Sequence, residues 1–346
     1  MKIVQIIQFV FLLAFILVFF LFVGRIDWLR YFHLLFQVKI NFIFLIMLSS
    51  VISYFLIGLS FVLAVRFFFH GISRFRSFYI GLLSSAISNN FSLGGLSGAS
   101  MRIYLLKKQK MPLGKISSAL ILHAYATGVV SIYIFMPLSL FYILQSKLFN
   151  QKQSSELFLA GLLMSLLLFF LTLFFVKHSF RKSLFARFSS FGKILKFKNP
   201  DKFLLKIDYS LGQVGNSLKT NKKKVLLLFI CLLLDWIMMA LTLCLAYFAT
   251  GISISVAPIF MGFSLSVLAG SILFFTGGWG VQDLSMIGIL SLFGISLEHS
   301  LVAVSLFRLF YYIIPLIVSL LSALFIYKHN LKALLRQIFN PIKEGV

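Results

Sequence analysis

Ser92-Leu93-Gly94-Gly95-Leu96-Ser97-Gly98 and Thr276-Gly277-Gly278-Trp279-Gly280 are two stretches where glycine interrupts an apolar segment. Each follows two unbroken apolar spans in its half of the chain and precedes another. A matched pair of interrupted membrane segments is the best sequence pointer to the binding site of a transporter. A broken helix leaves backbone N–H and C=O groups unpaired at membrane depth, where only protein or a water-filled cavity shelters them.

The composition places the chain in a membrane. Of its 346 residues, 60% are hydrophobic and 12% are charged, and the mean hydropathy is +1.03. No soluble domain buries that much apolar surface. The net charge of +24 comes mostly from basic residues between the apolar spans, which indicates the positive-inside rule and not nucleic-acid binding. The two cysteines, Cys231 and Cys244, lie in one apolar span and suggest neither a disulfide framework nor a metal site.

Eight apolar segments divide the chain. We predict membrane segments at about 3–23, 40–65, 78–101, 116–144, 157–176, 225–250, 256–293 and 301–327. No small-residue cleavage site follows the first segment, so we predict that it is an uncleaved helix and not a signal peptide. All of residues 1–346 form one transmembrane domain in this interpretation.

The basic loops set the orientation. Positive-inside reasoning places the basic stretch 177–224 and the C-terminal tail in the cytoplasm. When the spans are counted backwards from 177–224, each crossing the membrane once, the weakly charged connector 145–156 lies outside and the basic loop 107–115 lies inside. The loop 66–76 is also basic and belongs inside, so segment 78–101 begins and ends on the same face. The same counting places the N-terminus in the cytoplasm.

A re-entrant hairpin satisfies this constraint, with its turn near Asn89–Gly98. The corresponding segment 256–297 begins and ends outside, with its turn near Gly277–Gly280. We therefore predict an all-α polytopic membrane protein with an inverted-topology repeat, six full transmembrane helices and two re-entrant hairpins. Its halves are residues 1–150 and 151–346. The alternative is eight plain transmembrane helices, in which one basic loop lies outside and violates the positive-inside rule.

The stretch 177–224 is the only long polar one. Apolar residues recur at helical spacing inside it: Phe203, Ile207, Leu211, Val214 and Leu218. This pattern predicts an amphipathic helix. It lies either on an anionic membrane surface or against the underside of the transmembrane domain, and the sequence leaves both interpretations open.

Charged side chains inside membrane spans are costly, roughly 3 kcal/mol or more at the centre, and each is a functional candidate. Three lie inside spans, Asp235, Asp283 and Arg308, and Arg102 lies at the end of a hairpin. Asp283 falls in the first turn after the second glycine cluster, where the helix dipole favours a carboxylate. An Arg308–Asp283 pair near the hairpin turn is therefore expected.

Two interpretations of Arg308 stay open. Either Arg308, with Arg102, contacts a lipid phosphate beside the free N–H groups of the hairpins, or it neutralises an acid for packing. Asp235 is either a proton or ion site or a structural contact. A packing role is favoured for His123 over a proton carrier, and a helix-capping role is favoured for Asn90.

The sequence contains no pattern typical of an enzyme. Cys/His metal spacing, a P-loop, a G-x-S-x-G elbow and H-E-x-x-H are all missing. With 8 acidic residues in the chain, mostly in loops, paired carboxylates for acid–base catalysis are not evident. We predict no cofactor, no metal and no ATP-driven pumping within this chain.

These motifs resemble the flippase-like membrane domain of lysylphosphatidylglycerol synthases over nearly the whole chain. In the first half the family pattern is a glycine cluster with a downstream arginine, matched by Gly94, Gly95, Gly98 and Arg102. In the second half it is Gly-Gly-x-Gly, an acid and an arginine in the last long helix, matched by Gly277, Gly278, Gly280, Asp283 and Arg308. This chain has Asp283 where glutamate is usual, Phe275-Thr276 in place of flanking prolines, and His123-Ala124-Tyr125 in place of an acidic–arginine pair.

The resemblance implies a flippase of the bacterial inner membrane. Its substrate would be an anionic or aminoacylated phospholipid or a polyprenyl-phosphate-linked lipid, bound through the glycine clusters, Asn90, Arg102, Asp283 and Arg308. The expected partners are these lipids, the membrane surface facing 177–224 and a separate lipid-modifying enzyme, with no nucleic acid. The chain ends soon after its last span, so we expect no aminoacyltransferase activity. The alternatives are an integral membrane enzyme or subunit for a lipid-linked substrate, and a cell-envelope scaffold.

Overall fold

The part of the chain that the computed structural model describes is helical throughout its regular elements. It comprises residues 24, 26–91, 96–131, 137, 141, 151–177, 179, 181–183, 185, 200–252, 255–272 and 280–326. In chain order the helices are α1 (Trp28–Phe36), α2 (Ile40–Phe68), α3 (Arg74–Phe91), α4 (Leu96–Lys108), α5 (Leu113–Val130), α6 (Gln151–Val176), α7 (Pro200–Thr220), α8 (Lys222–Ala249), α9 (Val256–Ile272), α10 (Val281–Ser291), α11 (Leu297–Arg308), a π-helical segment (Leu309–Ile313, the π segment) and α12 (Ile314–Ile326).

Four of the described helical runs are long and apolar enough to cross a membrane. They are Ile40–Phe68, Leu113–Val130, Lys222–Ala249 and Leu297–Ala323. The multi-pass membrane class is therefore confirmed, whereas the count of six full helices and two hairpins stays a prediction. The predicted span 3–23 lies outside the described residues.

The glycine clusters separate helices as expected. The predicted segment 78–101 consists of α3 and α4, and the predicted segment 256–293 consists of α9 and α10. We refer to α3 and α4 as the first helix pair and to α9 and α10 as the second helix pair. One boundary differs, because α6 begins at Gln151, inside the stretch interpreted as a polar connector.

Helices α2 and α8 form the centre of the fold and run in opposite directions. At one end the N–H of Lys39 donates to the carbonyl of Ala249 at 3.0 Å. Further along, the hydroxyls of Ser49 and Thr242 are 3.0 Å apart. Each helix leads directly into a helix pair, so the two pairs begin at opposite ends of this central unit.

The contacts of the first helix pair are antiparallel. Gly98 packs against Ser88 near the glycine cluster, where a Cβ on Gly98 would lie 2.5 Å from the Ser88 Cβ. At the other end of the pair, the Arg76 guanidinium donates to the Gln109 amide oxygen at 3.0 Å. The flanking loops also meet, because the Lys115 ammonium lies 5.6 Å from the centre of the Phe69 ring. Both basic loops therefore lie at the same end of the molecule.

The second helix pair has the same antiparallel arrangement. Gly262 of α9 faces Leu290 of α10, and a Cβ on this glycine would lie 3.1 Å from the leucine Cγ. Helix α10 starts after Gly280, whose φ of 79° is in the region that glycine adopts without strain. The backbone N–H of Gly280 donates to Asp283 at 3.0 Å, which fixes the first turn.

The amphipathic helix predicted inside 177–224 is α7, and it packs on the body of the protein. Leu211 and Val214 are buried, and the Ser118 hydroxyl of α5 donates to the Gln213 side chain at 3.0 Å. The Arg181 guanidinium also pairs with Asp208 at 2.7 Å. These contacts support the interpretation in which this helix covers one end of the transmembrane domain.

A glycine substitution tests the close packing of the first helix pair. Gly98→Ala should lower the free energy of unfolding by about 1–3 kcal/mol, because the added methyl overlaps Ser88 and the Ser84 carbonyl. The matched control is Gly288→Ala in α10, where a Cβ meets nothing within 4 Å. That variant should be neutral or more stable by about 0.5–1 kcal/mol. Thermal unfolding in detergent measures both, and equal behaviour of the two variants would contradict the packing described here.

Candidate functional site

Arg308 and Asp283 form the ion pair that the sequence predicts. Arg308 ends α11, Asp283 lies in the first turn of α10, and the arginine Nε is 2.6 Å from the Asp283 Oδ1. The arginine and aspartate side chains are only 6% and 19% exposed. Because the second carboxylate oxygen caps Gly280, one acidic side chain both fixes the helix terminus and neutralises a buried cation.

The Arg308 guanidinium has further contacts that fix its orientation. Its Nη2 donates to the Gln282 Oε1 at 3.2 Å, and its central carbon lies 4.1 Å from the centre of the Tyr312 ring. The Tyr312 hydroxyl donates to the same Gln282 oxygen at 3.5 Å. A charge-assisted hydrogen bond and a cation–π contact act together here.

The π segment follows directly after Arg308. The N–H of Ile314 bonds to the carbonyl of Leu309, five residues earlier. Pro315 comes next and lacks an N–H, so it cannot donate to the helix. Three carbonyl oxygens of the π segment accept hydrogen bonds from side chains of α2 and α3: Ser50 to Phe310 at 2.8 Å, Tyr54 to Tyr311 at 3.0 Å, and Asn90 to Tyr312 at 3.0 Å. Single π turns of this kind are frequent at functional sites.

Both helix pairs reach Tyr312 where their glycine clusters interrupt them. Asn90, one residue before the end of α3, donates to the Tyr312 carbonyl. Gln282, at the start of α10, accepts from the Tyr312 hydroxyl. The neighbouring Asn89 donates to the Tyr54 hydroxyl at 3.2 Å. Since Tyr54 lies at the midpoint of α2, the two pairs meet about halfway along the central helices.

Asn90 makes contacts other than those of a helix N-cap. Its amide donates to the Ala86 carbonyl in the last turn of α3 at 2.8 Å, which differs from an N-cap, where a side-chain oxygen accepts from a backbone N–H. The same amide also joins the first helix pair to the π segment.

Arg102 lies in a different environment, on α4. Its Nε donates to the Ser84 hydroxyl at 2.8 Å and its Nη2 to the Ser85 hydroxyl at 3.0 Å. Its guanidinium carbon is 4.9 Å from the centre of the Phe61 ring. The side chain is only partly buried, and none of the acidic residues that the structure describes forms an ion pair with it.

His123 and Asp235 each contact a hydroxyl of α2. The buried His123 Nε2 is 3.0 Å from the Ser60 hydroxyl, and its ring packs edge-on against Phe61. Asp235, at the midpoint of α8, accepts a hydrogen bond from Ser53. Gly98 and Gly280 have the structural roles given above, whereas Gly94, Gly95, Gly277 and Gly278 lie outside the described residues.

Long apolar helices, two helix pairs that start from opposite ends and a polar centre define a multi-pass membrane protein. Residues 5–319 match the family described as the lysylphosphatidylglycerol synthase TM region, and the chain belongs to that family. This match confirms the resemblance proposed from the glycine clusters.

Curated relatives with similar sequences are longer proteins. A phosphatidylglycerol lysyltransferase of Staphylococcus xylosus is 31% identical over 113 residues, which is 32% of this chain and 13% of that protein. A phosphatidylglycerol lysyltransferase of Staphylococcus epidermidis is 31% identical over 112 residues, again 32% of this chain and 13% of the relative. The similarity therefore covers a small part of each relative.

Sequence reasoning missed the π segment and the hydroxyl groups that bind it. Ser50, Ser53 and Tyr54 lie in an apolar run, and nothing in their spacing singles them out. One available signal was Pro315, which removes a hydrogen-bond donor from the middle of the last long span. A second was the adjacent Tyr311-Tyr312 pair just before it.

A double-mutant cycle tests the Arg308–Asp283 pair. Arg308→Ala or Asp283→Ala alone should lower the free energy of unfolding by about 3–5 kcal/mol, because each leaves a buried charge without its partner. The double variant should lose less than the sum of the two, since it leaves neither charge. Chemical denaturation in detergent gives the three values, and strict additivity would show that the two side chains do not interact.

Proposed function

We propose that this protein moves an anionic phospholipid between the leaflets of a bacterial inner membrane. The family is named for the membrane region of lysylphosphatidylglycerol synthases, and both relatives cited are named for phosphatidylglycerol. These names favour a phosphate-containing lipid headgroup as the substrate class. Candidates are phosphatidylglycerol, its aminoacylated forms and polyprenyl-phosphate-linked lipids.

The observation that carries the proposal is the contrast between two arginines. Arg308 is neutralised by Asp283 at 2.6 Å. Arg102 is partly buried, and within the described part of the chain its guanidinium contacts hydroxyl groups and an aromatic ring and has no acidic partner. A planar guanidinium with donor groups to spare suits a phosphate. Arg102 therefore binds the headgroup in this proposal, and the Arg308–Asp283 pair holds the two helix pairs in place.

The helix lengths support a re-entrant arrangement. Helix α4 has 13 residues and α10 has 11, which correspond to about 20 Å and 17 Å. The hydrocarbon core is about 30 Å thick, so neither helix crosses it alone. We infer that each pair enters from one face and turns back, and that the headgroup passes between the pairs while its acyl chains stay in the bilayer.

The remaining features extend the same proposal. With the basic loops in the cytoplasm, both termini are cytoplasmic and the first helix pair opens inwards. The basic region around α7 faces the anionic inner leaflet, where a separate enzyme supplies the modified lipid. In this proposal the chain itself transports and performs no catalysis.

Flipping assays in liposomes with Arg102 variants test the proposal. Liposomes that contain the purified protein and fluorescent phosphatidylglycerol should lose outer-leaflet and then inner-leaflet fluorescence when dithionite is added. Arg102→Ala should slow flipping by roughly tenfold or more, because a hydrogen bond to a charged group contributes about 1.5–3 kcal/mol. Arg102→Lys should be intermediate, since it keeps the charge and loses the planar fork.

The control is Arg76→Ala in the same helix pair. Arg76 is exposed and bonds to Gln109 away from the polar centre, so this variant should flip lipid at the wild-type rate. Flipping no faster than in empty vesicles, across anionic and aminoacylated lipids, would overturn the proposal. Formation of a new lipid product would favour a membrane enzyme, and identical behaviour of all variants would favour an envelope scaffold.

A further inference from the structure

Asp235 is a buried acid whose described hydrogen-bond partner is a hydroxyl group. It is 5% exposed at the midpoint of α8, and its carboxylate accepts a hydrogen bond from Ser53. By contrast, Asp208 and Asp283 each pair with an arginine. A carboxylate held in a membrane interior without a cation is neutralised by binding a proton.

The elements around α8 bring no positive charge to this carboxyl group among the residues described. The ionisable groups that interact with it are the hydroxyls of Tyr54 on α2 and Tyr311 in the π segment. Helix α9 has no ionisable residue. On α5, His123 bonds to a serine of α2, and Arg308 is held by the carboxylate of α10. On α7, the acid Asp208 is paired with Arg181.

Ser53 links Asp235 to Tyr311. The Ser53 hydroxyl is 3.0 Å from the Tyr311 hydroxyl as well as hydrogen-bonded to the carboxylate. A serine hydroxyl has one proton, so while it donates to Asp235 it accepts from Tyr311. When a proton binds the Asp235 oxygen that faces Ser53, that oxygen becomes a donor, Ser53 accepts from it, and the Ser53 proton turns towards Tyr311. One proton therefore reverses both hydrogen bonds.

Tyr311 lies in the π segment, where the two helix pairs meet. The carbonyls of this segment accept hydrogen bonds from Tyr54 and Asn90, and Asn90 lies one residue before the end of α3. The Tyr311 ring stacks on Phe307 with 15° between the ring planes. A change in the hydrogen bonds of Tyr311 thus acts on the element that holds the first helix pair.

We propose that Asp235 is a proton-binding site whose occupancy, passed through Ser53 and Tyr311 to the π segment, couples lipid movement to proton movement. In each cycle one proton binds the carboxylate from one side of the membrane and leaves to the other. This inference rests on the lipid transport proposed above. It distinguishes a transporter that accumulates lipid in one leaflet from a scramblase that only equilibrates it.

Liposomes with an imposed pH gradient test the coupling. Wild-type protein should enrich fluorescent phosphatidylglycerol in one leaflet by up to about tenfold per pH unit, for one proton moved per lipid. Reversing the gradient should reverse the enrichment. Asp235→Asn keeps the size of the side chain but cannot exchange a proton, and it should show no enrichment in either gradient. Glu156→Gln, at an exposed acid of α6, is the matched control and should behave like wild type.

A second variant separates proton binding from coupling. Tyr311→Phe keeps the ring stacked on Phe307 and removes the hydroxyl near Ser53. Infrared difference spectra recorded over a pH titration should contain the carbonyl band of a protonated carboxylic acid in both wild type and Tyr311→Phe. Asp235→Asn should lack the band. Tyr311→Phe should nevertheless lose the enrichment that the gradient drives.

The outcomes distinguish this inference from the transport proposal. If the pH gradient produces no leaflet enrichment in wild type, or if Asp235→Asn still shows the enrichment, proton coupling is wrong. Lipid transport itself is not contradicted by either result. If no lipid flips, the transport proposal fails and the infrared titration decides whether Asp235 binds a proton. Absence of a band that depends on Asp235 overturns the proton site.

Discussion

Backbone groups that leave a regular helix inside a bilayer need hydrogen-bond partners within the protein, because lipid supplies none. The π segment is where this constraint is met most visibly. Pro315 has no N–H to donate to this segment, and polar side chains of α2 and α3 donate to three of its carbonyl oxygens. The arrangement of the first helix pair, the last long helix and α2 depends on these three hydrogen bonds.

The same constraint applies to charge. Arg308 is neutralised by Asp283, and that carboxylate also caps α10. Arg102 and Asp235 have hydroxyl partners instead, so one site suits an anion and the other suits a proton. The two halves of the protein therefore have similar helices but different polar groups, and the proposed lipid transport assigns the headgroup to Arg102 and the proton to Asp235.

The sequence predicted the interruptions and the Arg308–Asp283 pair because each follows from a strong local rule. Glycine clusters in apolar segments mark breaks, and a buried arginine needs an acid. The role of Tyr311 depends on Ser53 and Tyr54, which are about 260 residues away in the chain, and no local pattern reports such a contact. The early start of α6 at Gln151 was missed because polar residues there resemble a connector.

The central claim is that the two helix pairs enter the membrane from opposite faces and meet near its middle. Single cysteines in a background without Cys231 and Cys244 test it through labelling with a membrane-impermeant reagent in sealed vesicles. Arg74→Cys and Lys108→Cys, at the ends of the first pair, should both be labelled from the cytoplasmic face. Ser255→Cys and Ser291→Cys, at the ends of the second pair, should both be labelled from the outer face. Labelling of either pair's two ends from opposite faces would contradict the account.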